Sequence, residues 1–127
     1  MFSIRTAVIP AAGLGTRLLP VTKQVPKELI PMLTRPSIEY VMEEAVDAGI
    51  TDFVIVVGGN RELVEGYFTP PTGHENLKAE LSSRFDGLNH ILSRAAVRYV
   101  QQHEPKGLGH AVFRSENYID DEYFAVI

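Results

Sequence analysis

The sequence has 127 residues, of which 45% are hydrophobic and 22% are charged; this balance is typical of one soluble globular domain and excludes a disordered or fibrous chain. The formal net charge of -4 and the pI of about 5.5 give no general attraction to nucleic acid or to an anionic membrane, so any phosphate site must be a local group of cations. The absence of cysteine excludes disulfides and thiolate metal sites.

The chain begins with a short apolar run, Thr6 to Pro10, which leads into a glycine-containing loop from Ala11 onward. Such a run is typical of a buried parallel strand. The proline and glycines that follow interrupt it before a signal peptide or a membrane-spanning length accumulates. We therefore expect a cytoplasmic protein with no membrane segment.

The next stretch contains four prolines, Pro20, Pro26, Pro31 and Pro36, and these exclude a long helix. We expect an ordered loop with short turns here. Loops of this kind often carry functional residues.

A helix is predicted after Pro36, because apolar residues recur at helical spacing over residues 38–46 until Gly49 ends the pattern. Residues 53–57 predict a second buried strand. Asn60 can cap a helix that runs to about residue 68, with Leu63 among its inward side chains.

The second half continues this alternation. Residues 77–96 are helical in pattern but are interrupted by Asp86-Gly87, which predicts two short helices. Residues 97–101 predict a third strand, residues 109–116 a helix and residues 123–127 a fourth strand. The sequence therefore predicts a Rossmann-like α/β fold: a mainly parallel sheet with helices on both faces and a ligand crevice at the carboxyl ends of the strands.

The sequence stops inside the apolar run that predicts the fourth strand, whereas domains usually end in exposed segments. We therefore expect residues 1–127 to be the amino-terminal part of a single domain that is truncated at its carboxyl end. An unfinished sheet leaves apolar surface uncovered, so we also expect the isolated chain to self-associate.

The loop after the first strand contains Gly13 and Gly15, where backbone amides can approach a phosphate closely, and Thr16 and Arg17 add further donors. A nucleoside triphosphate is the natural ligand. The loop is not a Walker motif, because no Gly-Lys-Ser/Thr follows, and Leu18 stands where a dinucleotide fingerprint has its third glycine. A plain strand-to-helix turn explains the glycines equally well, so both interpretations stay open.

Lys27 lies in the proline-stiffened loop, which can fold back toward the same crevice. A second cation beside Arg17 would suit a transition state in which phosphoryl oxygens gain charge. A solvated surface lysine is the alternative, and it is the more common one. We expect Gly13, Arg17, Lys27 and Gln102 to surround one crevice, since three strand-to-loop segments deliver them there.

Four segments occur in the order and spacing of bacterial UDP-glucose pyrophosphorylases and together extend over nearly the whole chain: residues 11–20, residues 26–31, Glu43-Glu44-Ala45 and residues 107–112. The glycine loop with its proline-lysine pair is typical of the wider sugar-phosphate nucleotidyltransferase superfamily. Pro-Lys-Glu and Gly-Leu-Gly-His-Ala are typical of its uridylyl branch. The sequence thus resembles this family, which implies the nucleotide-diphospho-sugar transferase fold.

The resemblance implies roles for the residues of the glycine loop. Ala12 and Gly13 would lie against the nucleoside. Gly15, Thr16 and Arg17 would hold the triphosphate of UTP.

The resemblance further implies that Lys27 contacts the phosphates at the reacting centre and shares the catalytic role with Arg17. Glu28, Gln102 and Gly107 match positions at the uridine pocket. A glutamine amide offers an acceptor and donors side by side, which suits the N–H and carbonyl edge of uracil. Without the resemblance, Gln102 would be taken for a glutamine at the end of a surface strand.

No metal-binding cluster is visible among the four histidines, and His110 is explained equally well as a helix-start or packing residue, so it is left out of the catalytic set. The family binds Mg²⁺ through aspartates that would lie beyond Ile127. Asp120 and Asp121 precede the fourth strand, at its opposite end, and are not assigned to the metal. The family often has an arginine where Gln101 stands.

For the intact protein, the implied reaction is attack by glucose 1-phosphate on the α-phosphorus of UTP, giving UDP-glucose and pyrophosphate, with Arg17, Lys27 and Mg²⁺ neutralising charge. There are two alternatives. One is a sister enzyme that uses dTTP or another sugar phosphate, and the other is a non-catalytic regulatory homologue. We expect a homo-oligomer that binds neither nucleic acid nor membrane. The 127-residue chain alone is expected to be inactive, because the Mg²⁺ ligands and most of the sugar pocket would be missing.

Overall fold

The computed structural model describes residues 3–127. Within them, β1 (Thr6–Ala11), β4 (Asp52–Val57), β5 (Ala96–Gln101) and β6 (Ala125–Val126) form a four-stranded sheet. The strand order is β5-β4-β1-β6, and every pairing is parallel. This confirms the parallel α/β sheet predicted from the sequence.

Helices cover both faces of the sheet, as predicted. The helices are α1 (Ser37–Asp47), α2 (Arg61–Tyr67), α3 (Ala79–Ser82), α4 (Asp86–Arg94) and α5 (Leu108–Phe113). Buried side chains of α1, α2 and α4 pack on one face, and α5 packs on the other through Ala111. Among residues 3–127, no helix combines the length and the apolar character that a membrane span requires.

The two central strands are buried on both faces, which explains their continuous apolar sequence. Ala7 and Ile9 of β1 belong to the larger core cluster, whereas Val8 between them belongs to the smaller one on the opposite face. Every residue of β4 from Phe53 to Val57 is buried. The alternation of side chains along β1 therefore joins two cores through one strand.

The proline-rich stretch contains an antiparallel pair that the sequence analysis did not predict. It consists of β2 (Pro31–Met32) and β3 (Arg35–Pro36), and Leu33 in the connecting turn has a φ of 62°. A pair of strands this short loses little when prolines remove backbone donors. The rest of the stretch forms loops and short 3-10 helices, as expected.

Two details of the helices differ from the sequence prediction. Asp86-Gly87 begins α4 instead of interrupting the helical segment, and the break is a 3-10 helix at Ser83–Phe85. The prediction that Leu63 points inward was wrong, since it is 51% exposed whereas Val64 beside it is buried. Strand β6 is also shorter than the predicted residues 123–127.

An ionic cluster joins β3, α1 and α2. The Arg35 guanidinium donates to Glu39 at 2.8 Å and to Glu43, and the Tyr67 hydroxyl donates to Glu39, which is 1% exposed. Burial and then the hydrogen bond to Glu39 raise the pKa of Tyr67, so this hydroxyl stays a neutral donor. Gly87 of α4 packs directly on the cluster: a Cβ there would lie 2.4 Å from Arg35 Nη2 and 2.7 Å from Glu39 Oε1.

The substitution Gly87→Ala is expected to lower the free energy of unfolding by about 1–3 kcal/mol, because the new methyl group forces the paired Arg35 and Glu39 apart. Gly66→Ala in α2 is the matched control, since a Cβ there meets nothing within 4 Å. The control should leave the stability unchanged or raise it by up to about 1 kcal/mol. Urea unfolding followed by circular dichroism measures both, and equal effects of the two substitutions would contradict the packing argument.

Candidate functional site

Three loops meet at the carboxyl edge of the sheet, because parallel strands end at the same edge. The loop after β1 begins at Ala12, the loop after β4 at Gly58 and the loop after β5 at Gln102. The first two loops approach closely, since a Cβ on Gly58 would lie 3.0 Å from the Ala12 carbonyl oxygen. This edge is therefore where the sequence-predicted residues can come together.

Two adjoining clefts lie among these loops. The β1–β5 cleft is lined by Gln102, Gly107 and Leu108 on one side. The β1–β4 cleft is lined by Glu28 and Asn60, among others. Four residues line both clefts: Ala12, Gly13, Leu14 and Lys27.

Gly15 fixes the path of the glycine loop. Its φ of 64° lies in the left-handed region that favours glycine, and Thr22 Oγ1 donates to its carbonyl oxygen at 2.7 Å. A Cβ on Gly15 would lie only 2.8 Å from Thr22 Cγ2 and 3.3 Å from Lys27 Cβ. Thr22 is buried, and the sequence analysis missed it because nothing in the local pattern shows that it folds back onto the loop.

Lys27 brings its ammonium group over the glycine loop. A Cβ on Gly13 would lie 2.8 Å from Lys27 Nζ, which also lies 2.9 Å from Glu28 Oε1. This distance is that of an ion pair, yet neither buried carboxylate oxygen of Glu28 accepts a well-aligned hydrogen bond from the described residues. The Lys27 side chain is 38% exposed and that of Glu28 only 11%. The buried Glu28 carboxylate therefore pairs with the Lys27 ammonium group from the protein interior. The more exposed Lys27 side chain faces the clefts.

Arg17 is exposed and lies outside both clefts. Together with Gly15, Thr16 and Leu18 it lines a separate groove that also includes Lys27. The structure thus brings Gly13, Lys27 and Gln102 to one cleft, as expected, and places Arg17 beside it. Lys27 is the residue that the groove and both clefts have in common.

Gln102 is held in place at the end of β5. Its backbone N–H donates to the Val57 carbonyl at 2.8 Å, and its side chain is almost fully buried. Its side-chain nitrogen lies 2.8 Å from His110 Nδ1 and 3.4 Å from the Gly107 carbonyl oxygen. The sequence analysis left His110 out of the site because a helix-start or packing role explained it equally well. Its contact with Gln102 forms only when α5 packs back against the end of β5.

Asp121 lies at the amino edge of the sheet, opposite the clefts. Its Oδ2 accepts a hydrogen bond from Thr6 Oγ1 at 2.6 Å, and its Oδ1 lies 3.9 Å from Arg5 Nη2. The sequence analysis expected Asp121 at this end of the sheet. Across residues 3–127, no group of three or more histidine or acidic side chains is arranged to hold a metal ion.

The chain matches the nucleotidyl transferase family model over residues 6–127. It is 46% identical over 132 residues to a UTP–glucose-1-phosphate uridylyltransferase of Bacillus subtilis (strain 168), a match that covers 100% of this chain and 44% of that relative. A crystal structure of UDP-glucose pyrophosphorylase complexed with UDP-glucose superposes with a TM-score of 0.86 at 38% identity, covering 98% of this chain and 45% of the other. A UTP-bound UGPase from Acinetobacter baumannii gives a TM-score of 0.81 at 40% identity, again covering 98% and 45%.

These similarities confirm the expected nucleotide-diphospho-sugar transferase fold. The chain spans less than half the length of the relatives that it matches.

The substitution Gly15→Ala is expected to lower the free energy of unfolding by about 1–2 kcal/mol, because alanine is strained at a positive φ and its methyl group meets Thr22. Gly59→Ala is the matched control in the neighbouring loop, where a Cβ meets nothing within 4 Å. Its effect should stay below about 0.5 kcal/mol. Chemical denaturation of the two variants provides the comparison, and a Gly15→Ala chain as stable as the control would refute the loop geometry.

Proposed function

Because the chain belongs to the nucleotidyl transferase family, we propose that it forms the nucleotide-binding part of an enzyme that transfers uridylyl from UTP to glucose 1-phosphate. The products are UDP-glucose and pyrophosphate. One observation carries the proposal: the glycine loop, Lys27 and Gln102 line the same cleft, so groups suited to phosphate and to a base lie side by side. The names of the similar proteins support the choice of UTP and glucose 1-phosphate.

The phosphates of UTP lie along the glycine loop in this proposal. Gly13 and Gly15 let the backbone approach them, and Thr16 and Arg17 extend the same surface into the adjoining groove. Lys27 lies where the groove and the two clefts meet, so its ammonium group can stabilise negative charge that develops on the α-phosphate. Arg17 and Lys27 are the proposed catalytic residues.

The uridine lies in the β1–β5 cleft. Ala12 and Gly13 form one wall against the nucleoside, and Gln102 and Gly107 face them with groups that can pair with the base edge. Glu28 opens onto the neighbouring β1–β4 cleft instead. The resemblance implies a place for Glu28 at the uridine pocket, and we propose that it also holds Lys27 in position, since its Oε1 lies 2.9 Å from Lys27 Nζ.

Mg²⁺ remains a prediction. Residues 3–127 supply no cluster of three groups that could hold the ion, so no step of the proposal depends on it. When bound to the triphosphate, Mg²⁺ would neutralise charge on the transferring group. The cytoplasmic location is likewise part of the proposal.

Assembly with further copies and the lack of turnover by the isolated chain are also part of the proposal. Exposed apolar side chains near β6 support self-association, among them Phe113, Phe124 and Val126. Sedimentation at increasing concentration tests this, and a strictly monomeric chain would contradict it.

A pyrophosphate-release assay tests turnover, and activity of the 127-residue chain would contradict the expected inactivity.

The substitution Lys27→Ala is expected to weaken UTP binding about tenfold or more, because it removes the cation shared by the clefts and the groove. Lys78→Ala is the control, since Lys78 is exposed and lines none of these cavities. The measurement is calorimetric titration of the 127-residue chain with UTP, with ATP and dTTP for comparison. An equal loss of UTP affinity in both variants would refute the proposed site. Binding of ATP to the wild-type chain as tightly as UTP would refute it as well.

A further inference from the structure

The side-chain amide of Gln102 is oriented by two neighbours on the protein side. Its nitrogen lies 2.8 Å from His110 Nδ1 and 3.4 Å from the Gly107 carbonyl oxygen. A backbone carbonyl only accepts hydrogen bonds, so the amide nitrogen must face it. His110 can accept the second N–H when its Nδ1 carries no proton, which corresponds to the neutral ring with hydrogen on Nε2.

This arrangement uses both N–H groups of the amide within the protein. The amide oxygen, Oε1, accepts no hydrogen bond from any residue in the described part of the chain, and it is not among the fully buried polar atoms. Gln102 lines the β1–β5 cleft. The group left over for a ligand is therefore an acceptor.

We propose that His110 is a positioning residue that fixes the Gln102 amide with Oε1 available to the β1–β5 cleft, and that this orientation makes the site select uracil over cytosine. The inference rests on the proposed function, because it assumes that the base of UTP enters this cleft. It adds to that function the residue that sets the choice of pyrimidine.

The selection follows from the two base edges. Uracil carries a donor N3–H, which pairs with Oε1. Cytosine carries an acceptor at N3, which would face Oε1 with no proton between them, and a buried unpaired acceptor is costly. If the Gln102 amide were rotated by 180°, it would present its N–H group to the cleft, and this donor would pair with the N3 acceptor of cytosine. Thymine has the same edge as uracil here, so His110 does not separate UTP from dTTP.

A packing role alone would make a different prediction. His110 is half-buried near the start of α5, so removing its ring can lower the stability of the chain whatever its contact does. Lost packing would weaken UTP and CTP binding together. Only a lost orientation changes the ratio of the two affinities.

The experiment measures the affinities of the 127-residue chain for UTP and CTP by competition. His110→Leu removes the acceptor and should reduce the preference for UTP about tenfold or more. His110→Asn can place an amide oxygen near the position of Nδ1 and should keep the preference within about threefold of wild type. His103→Leu is the control, because His103 is exposed one residue after Gln102, and the ratio should not change.

A second measurement examines the contact without nucleotide. ¹⁵N NMR of the wild-type chain should show that the neutral His110 ring carries its hydrogen on Nε2, and a neutral ring with its hydrogen on Nδ1 would overturn the inference. An unchanged ratio of UTP affinity to CTP affinity in a folded His110→Leu chain would overturn it as well. An equal loss of the preference for UTP in His110→Leu and His110→Asn would also overturn it. Failure of the wild-type chain to bind UTP would instead refute the proposed function, so the two failures are distinguishable.

Discussion

The site depends on the parallel register of β1, β4 and β5, which brings the carboxyl ends of these three strands side by side. Ala11 stands opposite Val57, and Val57 stands opposite Gln101, so the three strands end side by side. A slip of one residue would turn each buried side chain to the wrong face. Because both faces of β4 are packed, the register is strongly fixed, and three loops must leave the sheet at one edge.

Side chains from elsewhere in the chain then fix what the loops present. Thr22 holds the glycine loop through the Gly15 carbonyl, Glu28 supports Lys27, and His110 holds the amide of Gln102. A buried carboxylate is costly unless a cation lies beside it, so Lys27 and Glu28 stabilise each other's positions. An acidic chain can thus offer a local cationic site for phosphates.

The sequence pattern predicted the elements that depend on local order. The apolar runs of β1 and β4 and the helical spacing of α1 are visible without knowledge of the fold, and so is the sheet edge to which their loops lead. Contacts between distant segments could not be predicted in this way. The Thr22 hydroxyl, the His110 ring and the close approach of Gly87 to Arg35 depend on how the chain folds back in space. For the same reason the sequence could not show that Arg17 lies in a neighbouring groove.

The proposed function requires that a uridine nucleotide binds at the carboxyl edge of the sheet, across the glycine loop and the end of β5. The most direct test is a titration of the ¹⁵N-labelled chain with UTP, followed by the shifts of its backbone amides. We expect the largest changes at the amides of Gly13, Gly15, Lys27, Gln102 and Gly107. Changes concentrated at the amino edge of the sheet, or on the helices that cover its faces, would contradict it.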